Sequence, residues 1–209
     1  MTESKPAVFL DRDDTITNSH PRTAHLPRPG DLLDPDLVEL LPGAGEAIAK
    51  LNAAGWPVVV FTSQGGIARG DMPPPFDRPR ATLAQVELVN DRVRALLAGF
   101  DARLDAIYYC PFHPIGTVPR FTREHQWRKP QPGMLLSAAA ELGLDLSRSW
   151  AVGDMARDTE AARNAGIPAN QAVLLVKTGD ADAGGANQGG PTAPDLARAA
   201  EMILGRNGR

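Results

Sequence analysis

The chain has 209 residues, 43% of them hydrophobic, and a net charge of −3 at pH 7. That length fills one good core, and a mild negative charge with basic residues spread throughout argues against a nucleic-acid or membrane surface. The single cysteine, Cys110, excludes an internal disulfide and fits a reducing compartment. Met1 to Pro6 carry no apolar signal core and no run approaches a membrane span, so the expectation is a cytoplasmic protein, a monomer or weak homo-oligomer.

Apolar runs alternate with helix-like segments, the pattern of an α/β protein with a central parallel sheet. Strands are predicted near 6–10, 57–62, 105–109, 149–152 and 172–176. Ala47, Ile48, Leu51 and Ala54 form a first helical face that Gly55 can stop. Thr82-Leu83-Ala84-Gln85 has the spacing of a capping box. It opens a helix whose face carries Leu83, Val86, Asn90, Val93 and Leu97, with only Asn90 out of character. Leu135, Ala138, Ala139 and Leu142 make a third face. Ala156 to Ala165, closed by Gly166, makes a fourth helix, and a last one is predicted from about Pro194 to Leu204. Residues 17–35, 71–80, 111–128 and 179–190 are expected to be irregular, rich as most of them are in proline or glycine. No break separates two core patterns, so residues 1–209 read as one domain.

Four stretches carry chemistry. Phe9-Leu10-Asp11-Arg12-Asp13-Asp14-Thr15 sets three carboxylates directly after an apolar run, at the sheet edge where α/β proteins place ligands. Carboxylates so close repel unless a cation joins them, and their oxygens suit Mg²⁺. Thr62-Ser63-Gln64-Gly65-Gly66 follows the second strand with a hydroxyl and two glycines that let backbone N–H groups approach an anion. Arg128-Lys129-Pro130-Gln131-Pro132-Gly133 stiffens two cations on a turn, where lysine can neutralise phosphate and arginine can clamp an anionic group bidentately. Gly153-Asp154-Met155-Ala156-Arg157-Asp158 ends another strand in an acid with a second four positions on. Taken singly, each also reads as an ordinary capped or solvated turn.

Taken together, these elements resemble the haloacid dehalogenase (HAD) superfamily of phosphatases: Asp-x-Asp-x-Thr at Asp11, Asp13 and Thr15, the hydroxyl of Thr62, Lys129, and Gly-Asp-x-x-x-Asp at Asp154 and Asp158. Within it, Gly65-Gly66-Ile67-Ala68-Arg69-Gly70, Tyr108-Tyr109-Cys110-Pro111 and Arg128-Lys129-Pro130 are similar to the heptose-1,7-bisphosphate and histidinol-phosphate phosphatases, the heptose branch more closely. The resemblance implies a single three-layer, Rossmann-like domain with a central parallel sheet and no large cap. It implies an Mg²⁺-dependent phosphatase of a small phosphorylated metabolite. Asp11 would be the nucleophile and Asp13 the acid and base. Thr62 and Lys129 would hold the phosphoryl oxygens, and Asp11, Asp154 and the Asp13 carbonyl would hold the metal, with Asp158 behind them. Ser63, Gln64, Gly65, Arg128 and His20 would contact substrate. A degenerate relative that binds phosphorylated ligands without turnover is the alternative from a different class.

Two departures stand out. Where the resembled family carries a zinc-binding loop, this chain has Cys110, Phe112, His125 and Trp127. Phe and Trp cannot ligate, so zinc is not expected and aromatic packing is the favoured substitute, although Cys110, His113 and His125 would still supply three ligands. Asp14 replaces the family's glycine, and an outward-facing turn residue is the favoured reading.

Overall fold

Side chains of a strand alternate between faces, so an apolar run without polar alternation must be covered on both sides. Val8, Leu10, Val58, Val60, Val152 and Val173 belong to one core cluster, and Phe9, Val59, Phe61, Ala151 and Ala172 to another. These clusters lie on the two faces of one six-stranded sheet. Its strands are β1 Val8–Leu10, β2 Val58–Ser63, β3 Ala106–Cys110, β4 Trp150–Gly153, β5 Ala172–Leu175 and β6 Thr192–Ala193. The spatial order is β3-β2-β1-β4-β5-β6, and every neighbouring pair is parallel. This computed structural model describes residues 4–25, 29–30, 32–71, 81–176, 187 and 189–206.

The helices are α1 Ser19–Arg22, α2 Ala44–Ala53, α3 Gly66–Arg69, α4 Leu83–Ala98, α5 Gly133–Leu142, α6 Ala156–Asn164 and α7 Leu196–Arg206. Ile48 and Leu51 of α2, Val89 and Val93 of α4, and Ala199 and Ile203 of α7 cover the first face. Met134 and Leu135 of α5 with Ala161 and Ala162 of α6 cover the second. Helix, sheet and helix thus make three layers. The predicted capping box opens α4: the Thr82 hydroxyl accepts the Gln85 N–H at 3.2 Å and the Gln85 side chain accepts the Thr82 N–H at 3.0 Å.

All five predicted strands are present. β6, two residues long, is too short to leave a periodic signal. The stretch 17–35 is less irregular than expected, since it contains α1 and leads into a 3-10 turn at Pro35–Leu37. Pro21 and Pro35 both lie in a first turn, where a missing N–H costs nothing. On α5 the buried face is Met134, Leu135 and Ala138, whereas Leu142, at the helix end, is 43% exposed. Residues 111–128 form neither helix nor strand beyond a bridge between His113 and Thr122. Of the other two irregular stretches, 72–80, 179–186 and 188 lie outside the described residues.

β1 sits at the centre, paired with β2 on one side and β4 on the other. The chain runs outward from it in both directions, so the strand order reverses at its carboxyl end. That reversal opens the crevice in which α/β sheets bind ligands.

Candidate active site

Three strand ends deliver three side chains to this crevice: Asp11 after β1, Thr62 as the penultimate residue of β2, and Asp154 after β4. Asp11 is fixed by its N–H, which donates to the Val152 carbonyl at 2.9 Å. Lys129 arrives from the β3–α5 connection. It is 4% exposed, and its ammonium donates to Asp11 Oδ1 at 2.8 Å and to the Phe61 carbonyl at 3.2 Å. On its other side stands Asp158 Oδ1, 2.7 Å away. The second Asp158 oxygen accepts the Met155 N–H at 2.9 Å, closing the start of α6. Gly153 makes that approach feasible, because a Cβ there would lie 2.4 Å from Asp158 Cβ.

The electrostatics follow from this packing. Burial pushes Asp11 up, and Asp158 and Asp13 add to that while Lys129 opposes it, leaving Asp11 at about 6. Asp154 is pushed up to about 8, by burial first and then by Asp11, Asp158 and Asp14. Burial would lower Lys129, but the two flanking carboxylates outweigh it and raise the ammonium above its usual value. Asp11, Asp154 and Asp158 each offer an oxygen within 4.8 Å of the others. Hard oxygen donors at that spacing suit a divalent cation, whose charge would relieve the repulsion that burial amplifies.

Asp13, on the same cleft, has its own set of partners. Its Oδ1 accepts from Ser19 Oγ at 2.7 Å and Arg12 Nε at 3.2 Å; its Oδ2 accepts from Arg12 Nη2 and Gln64 Nε2, both at 3.0 Å. Thr62 Oγ1 lies 3.4 Å from the same Oδ2. Arg12 is wholly buried and donates its Nη1 to Asn90 Oδ1 at 2.8 Å, which explains the polar residue on an otherwise apolar helix face. Burial alone would raise Asp13, but the Arg12 charge and the Arg12, Ser19 and Gln64 hydrogen bonds hold it below its ordinary value.

Ten of the positions expected in the site, Asp11, Asp13, Thr62, Lys129, Asp154, Ser63, Gln64, Gly65, Arg128 and His20, border one cleft of about 330 Å³. Asp158 stands behind the cleft wall, against Lys129 and the Met155 N–H. Gly65 lets the rim close: a Cβ there would stand 3.2 Å from His113 and 3.3 Å from Arg128 Nη1. Arg69, His113 and Arg157 also border the cleft, and sequence reasoning did not single them out as contacts; the arginine in Gly-Ile-Ala-Arg-Gly was the available signal for the first.

Asp14 corrects an expectation. It faces inward, 6% exposed, on the cleft wall. At φ 56° the backbone is left-handed, and that twist aims the side chain at His20, whose N–H donates to Asp14 Oδ1 at 3.0 Å and whose Nδ1 meets Oδ2.

The 111–128 loop is filled by aromatic rings. Phe112 stacks on His125 with centroids 3.9 Å apart and meets Phe121 edge-on at 5.8 Å; Trp127 meets Tyr108 at 6.0 Å. Cys110 Sγ donates to the Phe112 carbonyl at 3.7 Å, His113 bonds Arg69 at 2.9 Å, and His125 Nδ1 accepts the Trp127 N–H at 3.1 Å. Cys110, His113 and His125 are thus each engaged with other groups.

This arrangement has counterparts among known proteins. The HAD-hydrolase-like family model matches residues 126–199. D-glycero-beta-D-manno-heptose-1,7-bisphosphate 7-phosphatase of Escherichia coli (strain K12) is 37% identical over 204 residues, spanning 98% of this chain and 91% of that protein. D-glycero-D-manno-heptose-1,7-bisphosphate 7-phosphatase of Thermosynechococcus vestitus is 37% identical over 95% of both chains. The crystal structure of D,D-heptose 1,7-bisphosphate phosphatase from B. bronchiseptica, complexed with magnesium and phosphate, matches with a TM-score of 0.74 at 30% identity, covering 96% of this chain and 99% of that one. Identity at this level along nearly the whole length, on a shared sheet architecture, means that the chain belongs to the HAD family of phosphatases.

Proposed function

We propose that the chain is an Mg²⁺-dependent phosphatase that removes the 7-phosphate of D-glycero-D-manno-heptose 1,7-bisphosphate, acting in the cytoplasm. The substrate is taken from relatives matched along nearly their whole length and named for that activity. One observation carries the chemistry: Lys129 lies 2.8 Å from Asp11, although 118 residues separate them. A cation so placed serves a carboxylate that must meet an anionic phosphoryl group.

In this reading the Asp11 carboxylate attacks phosphorus in line, and the bond from phosphorus to the sugar oxygen breaks. Asp13 gives its proton to the departing oxygen. It then takes a proton from the water that attacks the aspartyl-phosphate, so that inorganic phosphate leaves and Asp11 is regenerated. The arriving phosphate dianion favours the protonated form of Asp13 that the first step requires. Lys129 and Thr62 hold non-bridging oxygens, and Asp158 keeps Lys129 in place. Asp11, Asp154 and the Asp13 carbonyl would hold Mg²⁺, which offsets the repulsion between nucleophile and phosphate. Ser63, Gln64, Gly65, Arg128 and His20 bind the rest of the sugar phosphate, Arg128 through its planar fork.

Assay of phosphate release from the heptose bisphosphate, histidinol phosphate and p-nitrophenyl phosphate tests the reading. The heptose bisphosphate should be turned over with the highest kcat/KM, with loss of the 7-phosphate, and EDTA should abolish the reaction until Mg²⁺ is restored. A preference for histidinol phosphate, or turnover insensitive to EDTA, contradicts it.

A further inference from the structure

Asp14 occupies a left-handed backbone position that glycine fills more comfortably than any residue with a Cβ. The turn itself does not need a carboxylate, yet both oxygens of this one are committed to His20, Oδ1 to its N–H at 3.0 Å and Oδ2 to its Nδ1. Opposite a carboxylate, Nδ1 must be the protonated nitrogen, which leaves Nε2 for another partner. Gly30 holds the ring from the other side: a Cβ there would lie 2.9 Å from His20 Cε1 and 3.0 Å from Nε2. Gly30 is in turn anchored by its N–H, which donates to Thr23 Oγ1 at 2.7 Å. The imidazole is therefore held on two sides while its side chain remains 58% exposed, and Asp14, His20 and Gly30 all border the cleft that contains Asp11 and Lys129.

We infer that Asp14 is a positioning residue for substrate recognition: it fixes the His20 ring so that Nε2 meets an oxygen of the bound sugar phosphate, and His20 in turn screens the Asp14 carboxylate from the phosphate. The inference rests on the phosphatase reading given under the proposed function. It accounts for a carboxylate on the wall of a phosphate site, where a bare anion would repel the ligand.

The test compares Asp14→Gly, Asp14→Asn, His20→Ala and the double variant Asp14→Gly/His20→Ala on the heptose bisphosphate. Asp14→Gly relieves the left-handed strain, so its unfolding temperature should not fall. Its KM should rise about tenfold, the scale of a lost charge-assisted hydrogen bond, with a smaller change in kcat. Asp14→Asn, which keeps an acceptor oxygen, should lie closer to wild type. His20→Ala should raise KM further, because it exposes the carboxylate, and the double variant should bind better than His20→Ala. A KM lowered by Asp14→Gly, or single effects that simply multiply in the double variant, overturns the inference. Long-range ¹H–¹⁵N NMR of the imidazoles separates its failure from failure of the function reading. A wild-type protein that releases no phosphate defeats the function reading, and the spectrum still decides the inference. His20 protonated on Nδ1 in wild type and released from that state in Asp14→Gly supports it; His20 protonated on Nε2 alone in wild type overturns it.

Discussion

Arg12, fully buried, faces both carboxylate oxygens of its own neighbour Asp13, at 3.2 Å and 3.0 Å. Adjacent residues ordinarily point apart; here the turn after β1 folds the arginine behind the acid, and Asn90 of α4 anchors its far end. Asp13 is thereby fixed in one orientation and held as an anion at rest.

Removing that support should be costly. Arg12→Met leaves Asp13 without a counter-charge and should cost about 3 kcal/mol of stability, the range for one broken partner of a buried pair. Asp13 lies below its ordinary 3.8 in the folded protein, so the stability that Arg12 lends it is present in full above that value and is lost as pH falls through the lower, folded one. Urea unfolding should show the gap between wild type and Arg12→Met wide at pH 7 and narrowing in acid. Arg12→Lys should recover part of the lost stability.

The acid cluster makes metal affinity depend on pH. Asp154 at about 8 and Asp11 at about 6 hold protons that the metal-free fold keeps and the unfolded chain has released. Stability of the metal-free protein should therefore fall as pH rises from about 4 to 8. Mg²⁺ binding displaces those protons, so the rise in melting temperature that it produces should be larger at pH 8 than at pH 6. Thermal scans with and without Mg²⁺ check this; an increment independent of pH counts against it.

Lys129 is held between Asp11 and Asp158 with almost no exposed surface. Lys129→Met should lower kcat by about 10²–10³, the scale of a lost oxyanion donor. Lys129→Arg should not restore it, because the slot has no room for a guanidinium. Asp158→Asn keeps Lys129 paired on one side only and should cost less, about tenfold.

The aromatic filling of the loop leads by a short run of chain into Arg128 and Lys129. Phe112→Ala removes the stack on His125 and should cost about 2 kcal/mol of stability, less than truncating a fully buried aromatic because Phe112 is only partly buried. KM should rise with it as Arg128 loosens. A zinc-selective chelator should leave the wild-type rate unchanged, and stoichiometric zinc in the purified protein would contradict this account of the loop.

Much of the fold was legible because its strands are unbroken apolar runs that end in acids or hydroxyls: Leu10 before Asp11, Phe61 before Thr62, Gly153 before Asp154. The capping box at Thr82 was legible because its two partners are three residues apart. β6 was not, since two residues carry no period. The inward direction of Asp14 was hidden too, because a side chain's aim after a strand depends on the local φ rather than on composition. Asn90 was visible as an anomaly without an explanation. Its partner, Arg12, lies 78 residues away, and only the packing of α4 against the β1 turn joins them.

The proposed mechanism depends most on Asp11 as the attacking group, and replacing one of its oxygens tests that directly. Asp11→Asn preserves size and fold, so its initial rate of phosphate release from the heptose bisphosphate, with Mg²⁺ saturating and folding verified by its melting curve, should be indistinguishable from the no-enzyme control. A folded Asp11→Asn protein that retains the wild-type rate would contradict the mechanism.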